Sequence, residues 1–291
     1  MFLFYRNSVP AIWQLNQRQG GKSTVIHWPA GDYDTSIGEG AKMERYREFG
    51  NHAMWMNEIE TIVKQLATDN LVVWYVSEPD HVLHGEGFHH NGEVKKTMAM
   101  LDELFGHLIT EMGRKGYLKD IDIIFTADHG HIQVEHYKTL CVNVILKDLI
   151  ASTQTNDYHF GDCNIYSNNA TFIKLAYEML AEEINSKHLP YKLYRKKEIP
   201  DEWHYKHSSR TGDIVIEPLP GGQVKMKCPV NFDDSHTSSH GHDPNLKEMR
   251  ALLVLSGPHF KEGEKFSEIP QNIDIFPLMT KLLNIDVSSA H

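Results

Sequence analysis

The stretch Asp120-Ile121-Asp122-Ile123-Ile124-Phe125-Thr126-Ala127-Asp128-His129-Gly130 is the segment around which the rest of the chain can be read. Ile121, Ile123, Ile124 and Phe125 predict a strand buried on both faces, because the run is short, β-branched, apolar and closed by a glycine turn. In an open α/β sheet, ligands bind beyond the carboxyl ends of the strands, so a site is expected at Asp128 and His129. A carboxylate oxygen beside an imidazole nitrogen is a donor pair that suits zinc. Taken alone, Asp-His-Gly is equally a plain strand-ending turn, and the rest of the chain has to decide.

Working back from it, Glu93 to Arg114 fall in a predicted helix over 92–114, with Met98, Leu101, Leu104, Phe105, Leu108 and Met112 on one face. Before that, Leu71 to Ser77 read as a strand ending in Glu78-Pro79-Asp80, and 51–69 as a helix with Met54, Ile59, Ile62, Val63 and Leu66 at helical spacing. The stretch 32–50 is polar and reads as loop, Ser23 to Trp28 as a strand, and 11–19 as a short helix stopped by Gly20-Gly21.

Forward of Gly130, helices are predicted at 142–150 and 171–186, separated by a loop rich in Asn, Asp and Ser. A β-rich lobe over 187–230 follows: Tyr191 to Arg195, then Asp213 to Glu217 and Gln223 to Lys227 around a hairpin turn at Pro220-Gly221-Gly222. Residues 231–247 are turn-forming, Arg250 to Gly257 read as another buried strand, and Ile273 to Leu283 as a closing helix. This alternation predicts an α/β fold: one catalytic domain over 1–291, a mainly parallel sheet with helices on both faces, and the small β-rich lobe inserted.

The bulk numbers agree with that reading. A chain of 291 residues can bury a sizeable core. At a net charge of −10, with basic residues scattered apart from Arg195-Lys196-Lys197, no stripe exists to track a nucleic-acid polymer. Cys141, Cys163 and Cys228 form no C-x-x-C, which points to neither a zinc knuckle nor a redox pair and leaves the compartment open. The apolar run Met1 to Tyr5 is too short for a signal peptide, and no run is long enough to span a bilayer. Asn169-Ala170-Thr171 is a glycosylation sequon, meaningful only in a secreted protein.

Nineteen histidines are the unusual entry in the composition, since imidazole is the commonest side-chain metal ligand. Three places put Asp or His beside a predicted strand end: Asp80 with His84, Asp128 with His129, and His240 before the strand at 251. Together these five nearly fill two zinc shells. Two zinc ions roughly 3.5–4 Å apart clamp the attacking and leaving oxygens of an in-line phosphoryl displacement, so a two-metal phosphoester hydrolase is the first reading. His81, His89, His90, His131, His236 and His242 lack a partner pattern and read as surface residues or supports behind the ligands.

These motifs resemble the ectonucleotide pyrophosphatase/phosphodiesterase family of the alkaline phosphatase superfamily. Its members carry Glu-Pro-Asp, three residues, then His, as Glu78-Pro79-Asp80 and His84 do; Ser-Asp-His-Gly, matched by Ala127-Asp128-His129-Gly130; and His-Gly with Asp two on, matched by His240-Gly241-His242-Asp243. Ile12-Trp13, Trp28-Pro29 with Gly31, and Gly257-Pro258-His259-Phe260 are similar too. Departures are Leu83 where the family has Gly, Phe88 where it has Pro, and His131 where it often has Met.

The resemblance implies an alkaline-phosphatase-like fold and a two-zinc site. Asp80, His84 and His240 would hold one ion, and Asp128 and His129 the other. The implied mechanism is covalent: a Thr or Ser attacks the phosphodiester, and water then releases the product. The family's nucleophile and one further Asp ligand lie upstream of the Ile-Trp stretch, so no catalytic nucleophile is assigned in 1–291, and the chain reads as N-terminally truncated.

The implied substrate is a small phosphodiester, either a nucleotide or a choline phospholipid. Stretches 9–20 and 198–205 most resemble choline-phosphodiester-cleaving members of the alkaline sphingomyelinase type. Membrane contact would come only through a lipid substrate or an anchor outside this sequence, and the parent protein is expected outside the cell or on its surface. The competing expectation is an inactive fragment or pseudoenzyme that keeps partial zinc binding through Asp80, His84 and His240.

Overall fold

The computed structural model describes residues 10–29, 41–45, 50–88, 92–154, 157–229 and 237–289. In chain order the elements are α1 (Ile12–Arg18), β1 (Ser23–Ile26), β2 (Lys42–Glu44), α2 (His52–Gln65), β3 (Leu71–Trp74), α3 (Asp80–Glu86), α4 (Glu93–Arg114), β4 (Ile123–Thr126) and β5 (Ile132–Cys141). Then follow α5 (Val142–Ile145), α6 (Lys147–Ala151), β6 (Tyr158–Gly161), β7 (Asn164–Ser167), α7 (Ala170–Ser186), β8 (Tyr191–Arg195), β9 (Ile214–Pro218), β10 (Gly221–Lys225), β11 (Ser238–Ser239), β12 (Leu253–Ser256) and α8 (Ile275–Leu282). The chain divides into two compact units. The described parts of Met1–His81, Lys95–Asp128 and Ala251–His291 make the first, and those of Val82–Val94 and His129–Arg250 the second.

In the first unit β1 runs parallel to β2 on one side and β3 on the other, pairing Val25 with Met43 and with Val73. Its alternating side chains face two covered sides. Val25 packs in a cluster with Trp13 of α1 and Met279 of α8, while Ile26 packs with Trp55 and Ile59 of α2 and Leu104, Leu108 and Met112 of α4. This is the expected sheet with helices on both faces. Helix α2 starts where the Asn51 side chain accepts from Met54 N at 3.0 Å, satisfying one of the amides that a helix start leaves without a partner. Strand β2 corrects the reading of 32–50 as loop throughout.

The expected burial of the strand before Asp128 is not found. Strand β4 pairs antiparallel with β12 alone among the described elements, and Phe125 (40 %) and, across the pair, Val254 (47 %) stay exposed. An apolar strand is buried on both faces only if another element covers each of them. Here Ile123 packs toward the α2/α4 cluster and Phe125 meets Phe105 at 5.0 Å, while Ile124, Leu253 and Leu255 are only half-buried.

The second unit is built on β5, a ten-residue strand that sequence reading missed because Gln133, Glu135, His136 and Lys138 interrupt its apolar positions. Ile132, Val134 and Leu140 are nevertheless buried. Strand β5 pairs parallel with β10 and antiparallel with β11. A second sheet, in the order β6-β7-β9-β8, is antiparallel throughout and packs Ile165, Ile214 and Ile216 against Phe172, Ala176, Leu180 and Ile184 of α7. Asn169 caps α7, its side chain accepting from Thr171 N and Phe172 N.

Three expectations are corrected here. The turn at Pro220-Gly221-Gly222 forms, with Gly222 N donating to Leu219 O at 2.9 Å, but it does not close a hairpin: β9 stays in the antiparallel sheet while β10 leaves to join β5. The loop predicted between the helices contains β6 and β7. The helix predicted at 142–150 is two short ones, α5 and α6. A disulfide joins Cys141 at the end of β5 to Cys228 beyond β10, and Cys163 is a free thiol.

Candidate metal centre

A group of histidines gathers in the second unit where β5 meets β11. The antiparallel register pairs Ser238 with Gln133 and Ser239 with Ile132; carried one residue further, it sets His240 across from His131. Their ring centroids are 5.3 Å apart, and His129 stacks on His240 at 3.7 Å with the planes 13° from parallel. His84, from α3, lies 4.8 Å from His131 and 5.2 Å from His240 by the same measure. One ring nitrogen from each of His129, His131 and His240 falls within 4.8 Å of the others.

Backbone carbonyls hold two of these rings, His84 and His129, and choose their tautomers. Nδ1 of His84 faces the Ser238 carbonyl at 3.0 Å; a carbonyl only accepts, so Nδ1 carries the proton and Nε2 the lone pair. His129 is set the same way, with Nδ1 donating to Gly130 O at 3.0 Å. An imidazole whose Nδ1–H is anchored to a carbonyl presents Nε2 as a metal donor, the arrangement that metal-binding histidines share. The site fits a cation such as zinc on this donor chemistry.

Gly130 explains why the Asp-His turn needs glycine. Its N–H donates to Met249 O at 3.0 Å, and a Cβ there would stand 2.0 Å from Glu248 O, so no side chain fits. Gly87, at φ +60°, likewise sits where a Cβ would press on the Thr237 hydroxyl, 2.5 Å away.

Of the five predicted ligands, His84, His129 and His240 come together in the second unit. Asp80 and Asp128 belong to the first. Asp80 opens α3, which places it one helical turn from His84 on the same helix face. Asp128 follows β4, and its carbonyl accepts from Asn272 Nδ2 at 2.7 Å.

His131, set aside in the sequence because nothing paired with it, stands inside the histidine group; the signal that marks it is strand register, which requires β5 to be known. His242 is buried but turned to the lobe, donating from Nε2 to Gly222 O at 3.0 Å, and burial holds its pKa below the ordinary histidine value. His81 pairs with Glu78 at 3.2 Å. His89, His90 and His236 lie outside the described residues.

Against known proteins, the profile of the type I phosphodiesterase/nucleotide pyrophosphatase family matches residues 3–243, which include all five predicted ligands. The chain belongs to this family. Its phosphodiesterase relatives include the bis(5'-adenosyl)-triphosphatase enpp4 of Xenopus laevis, 28 % identical over 277 residues, covering 94 % of this chain and 58 % of the relative. The human ectonucleotide pyrophosphatase/phosphodiesterase family member 5 is 26 % identical over 295 residues, covering 97 % and 56 %. The chain thus spans somewhat over half the length of these curated relatives. Among solved structures, murine ectonucleotide pyrophosphatase/phosphodiesterase 5 in complex with AMP superposes with a TM-score of 0.78 at 25 % identity, covering 94 % of this chain and 70 % of that one. The alkaline-phosphatase-like α/β class expected from the sequence therefore stands.

Proposed function

We propose that the protein is a zinc-dependent hydrolase of small phosphodiesters or pyrophosphates, acting on nucleotide-type substrates. The observation that carries this reading is the histidine group of a phosphodiesterase-family chain, with His84 and His129 already held in the Nδ1–H tautomer. By motif position Asp80, His84 and His240 hold one ion, and Asp128 and His129 a second. Bound zinc supplies positive charge for the phosphoryl oxygens. The chain's part is to fix the donors: carbonyls of Ser238 and Gly130 orient two rings, and the glycine at 130 lets the turn close on residues 248–249. The covalent route calls for a Thr or Ser nucleophile, a role that motif position gives to no residue in 1–291.

Nucleotides are favoured as substrates because one relative is named for bis(5'-adenosyl) triphosphate and the murine neighbour holds AMP. Choline phosphodiesters are the competing substrate class. We place the protein in an oxidising compartment, outside the cell or at its surface, in keeping with the Cys141–Cys228 disulfide, a bond that thiol-rich cytosol disfavours. No described helix is long and apolar enough to cross a membrane.

The test measures zinc content of the purified protein and release of product from bis(p-nitrophenyl) phosphate, a dinucleoside polyphosphate and a choline phosphodiester. Hydrolysis abolished by chelation and restored by zinc is the expected result, with Asp80→Ala and His240→Ala each lowering zinc content. Metal bound without turnover of any substrate would transfer support to the non-catalytic reading.

A further inference from the structure

Ser238 is completely buried, and its atoms reach three partners at once. Its carbonyl accepts from His84 Nδ1 at 3.0 Å, its hydroxyl contacts Leu83 O at 2.6 Å, and the same hydroxyl contacts His131 Nδ1 at 3.0 Å. A hydroxyl has one proton to give. Leu83 O can only accept, so Ser238 Oγ–H donates there and must accept from His131. His131 therefore carries its proton on Nδ1, and Nε2 is the lone-pair nitrogen. This ring is buried, lies 4.8 Å from His84 and 5.3 Å from His240, and shares with His129 and His240 the 4.8 Å grouping of ring nitrogens.

We infer that His131 is an additional metal ligand of this centre, an imidazole at a position where the family often has Met, and that Ser238 is the positioning residue that sets the His131 and His84 tautomers together. The inference rests on the proposed metal centre. It adds a neutral nitrogen donor, a ligand type that suits zinc, to that centre. The sequence carries the device as Thr237-Ser238-Ser239-His240: one buried serine two residues before a ligand, on a strand of only two residues.

The experiment uses the full chain, stripped of metal and titrated with zinc against a chromophoric chelator, with cobalt(II) substitution read by visible absorption. His131→Met and His131→Gln are compared with the parent, and Gln keeps a polar atom for Ser238 should Met disturb the fold. Both variants are expected to bind zinc at least tenfold more weakly and to change the cobalt band intensity. Ser238→Ala is expected to lower affinity by about tenfold or more, the usual cost of losing a partner behind a metal ligand. Parent-like zinc affinity and cobalt spectra in a folded His131 variant would overturn the inference while leaving the centre intact. A parent chain that takes up no metal would remove the centre itself, and the inference with it.

Discussion

In the second unit, strands β7 and β9 bury Ile165, Ile214 and Ile216 against an apolar face of α7, whereas in the first unit β4 and β12 pair with each other and leave Phe125 and Val254 exposed. The two sets of strands are similarly apolar in sequence. What differs is the supply of a covering element: α7 presents Phe172, Ala176, Leu180 and Ile184 at helical spacing, while α4, whose Leu104, Leu108 and Met112 pack with Ile26 and α2, meets the β4/β12 pair through Ile123 and the Phe105–Phe125 contact. A buried strand is thus a property of two elements, and a sequence run identifies only one of them.

The largest effect is expected in the first unit, at a polar site. His27 Nε2 meets Glu58 Oε1 at 2.8 Å, Trp74 Nε1 donates to Glu58 Oε2 at 2.7 Å, and His27 Nδ1 faces Arg45 O at 2.5 Å, all within the sheet and its covering helix. Glu58→Ala should cost about 3–5 kcal/mol, because it strips a buried network of its shared acceptor. Urea unfolding followed by hydrogen exchange should place the loss in β1, β3 and α2.

In the second unit, Leu180→Ala should cost about 2–5 kcal/mol by opening a cavity under the antiparallel sheet, with exchange rising in β7 and β9. Replacing Cys141 and Cys228 together by Ser should cost about 2–5 kcal/mol in the same unit. If either change moved exchange in β4 and β12 as much as in β7, the contrast between the units would fail.

Val254→Thr, on the exposed pair, should stay within about 0.5 kcal/mol of the parent. A loss of 2 kcal/mol there would show that this face is covered in solution. The smallest effect concerns Cys163, whose thiol is pushed up to about 11 by burial and secondarily by the charge of Asp162. A raised thiol pKa favours the neutral form in the fold. Its contribution is therefore full below about pH 9 and is lost as the pH climbs through 11. Alkylation followed by mass spectrometry should find Cys163 slow to react at pH 7.5; fast labelling there would contradict its raised pKa.

Much of the fold was legible in the chain. Helices α2, α4 and α7 declare themselves by apolar spacing over several turns, and β1, β3 and β8 by short apolar or alternating runs between breakers. Strand β5 was not, since its polar residues break the alternation, His136 and Lys138 sharing the parity of the buried Ile132 and Leu140, and neither was the destination of β10, whose partner lies some eighty residues earlier in the chain. The site shows the same division. His84, His129 and His240 are marked by motif, but His131 and Ser238 acquire meaning only when β11 is laid beside β5, a pairing of remote residues that local pattern does not contain.

The disulfide has a topological reach beyond its contribution to stability. His131 lies ten residues before Cys141, and His240 twelve residues after Cys228, so the sulfur bridge makes the 87-residue interval between the cysteines a detour off a short covalent route. A protease that nicked the lobe, or an insertion that lengthened one of its loops, would leave the two imidazoles on one connected piece of chain. The lobe is thereby free to vary in length without paying out slack between the strands that carry the histidines.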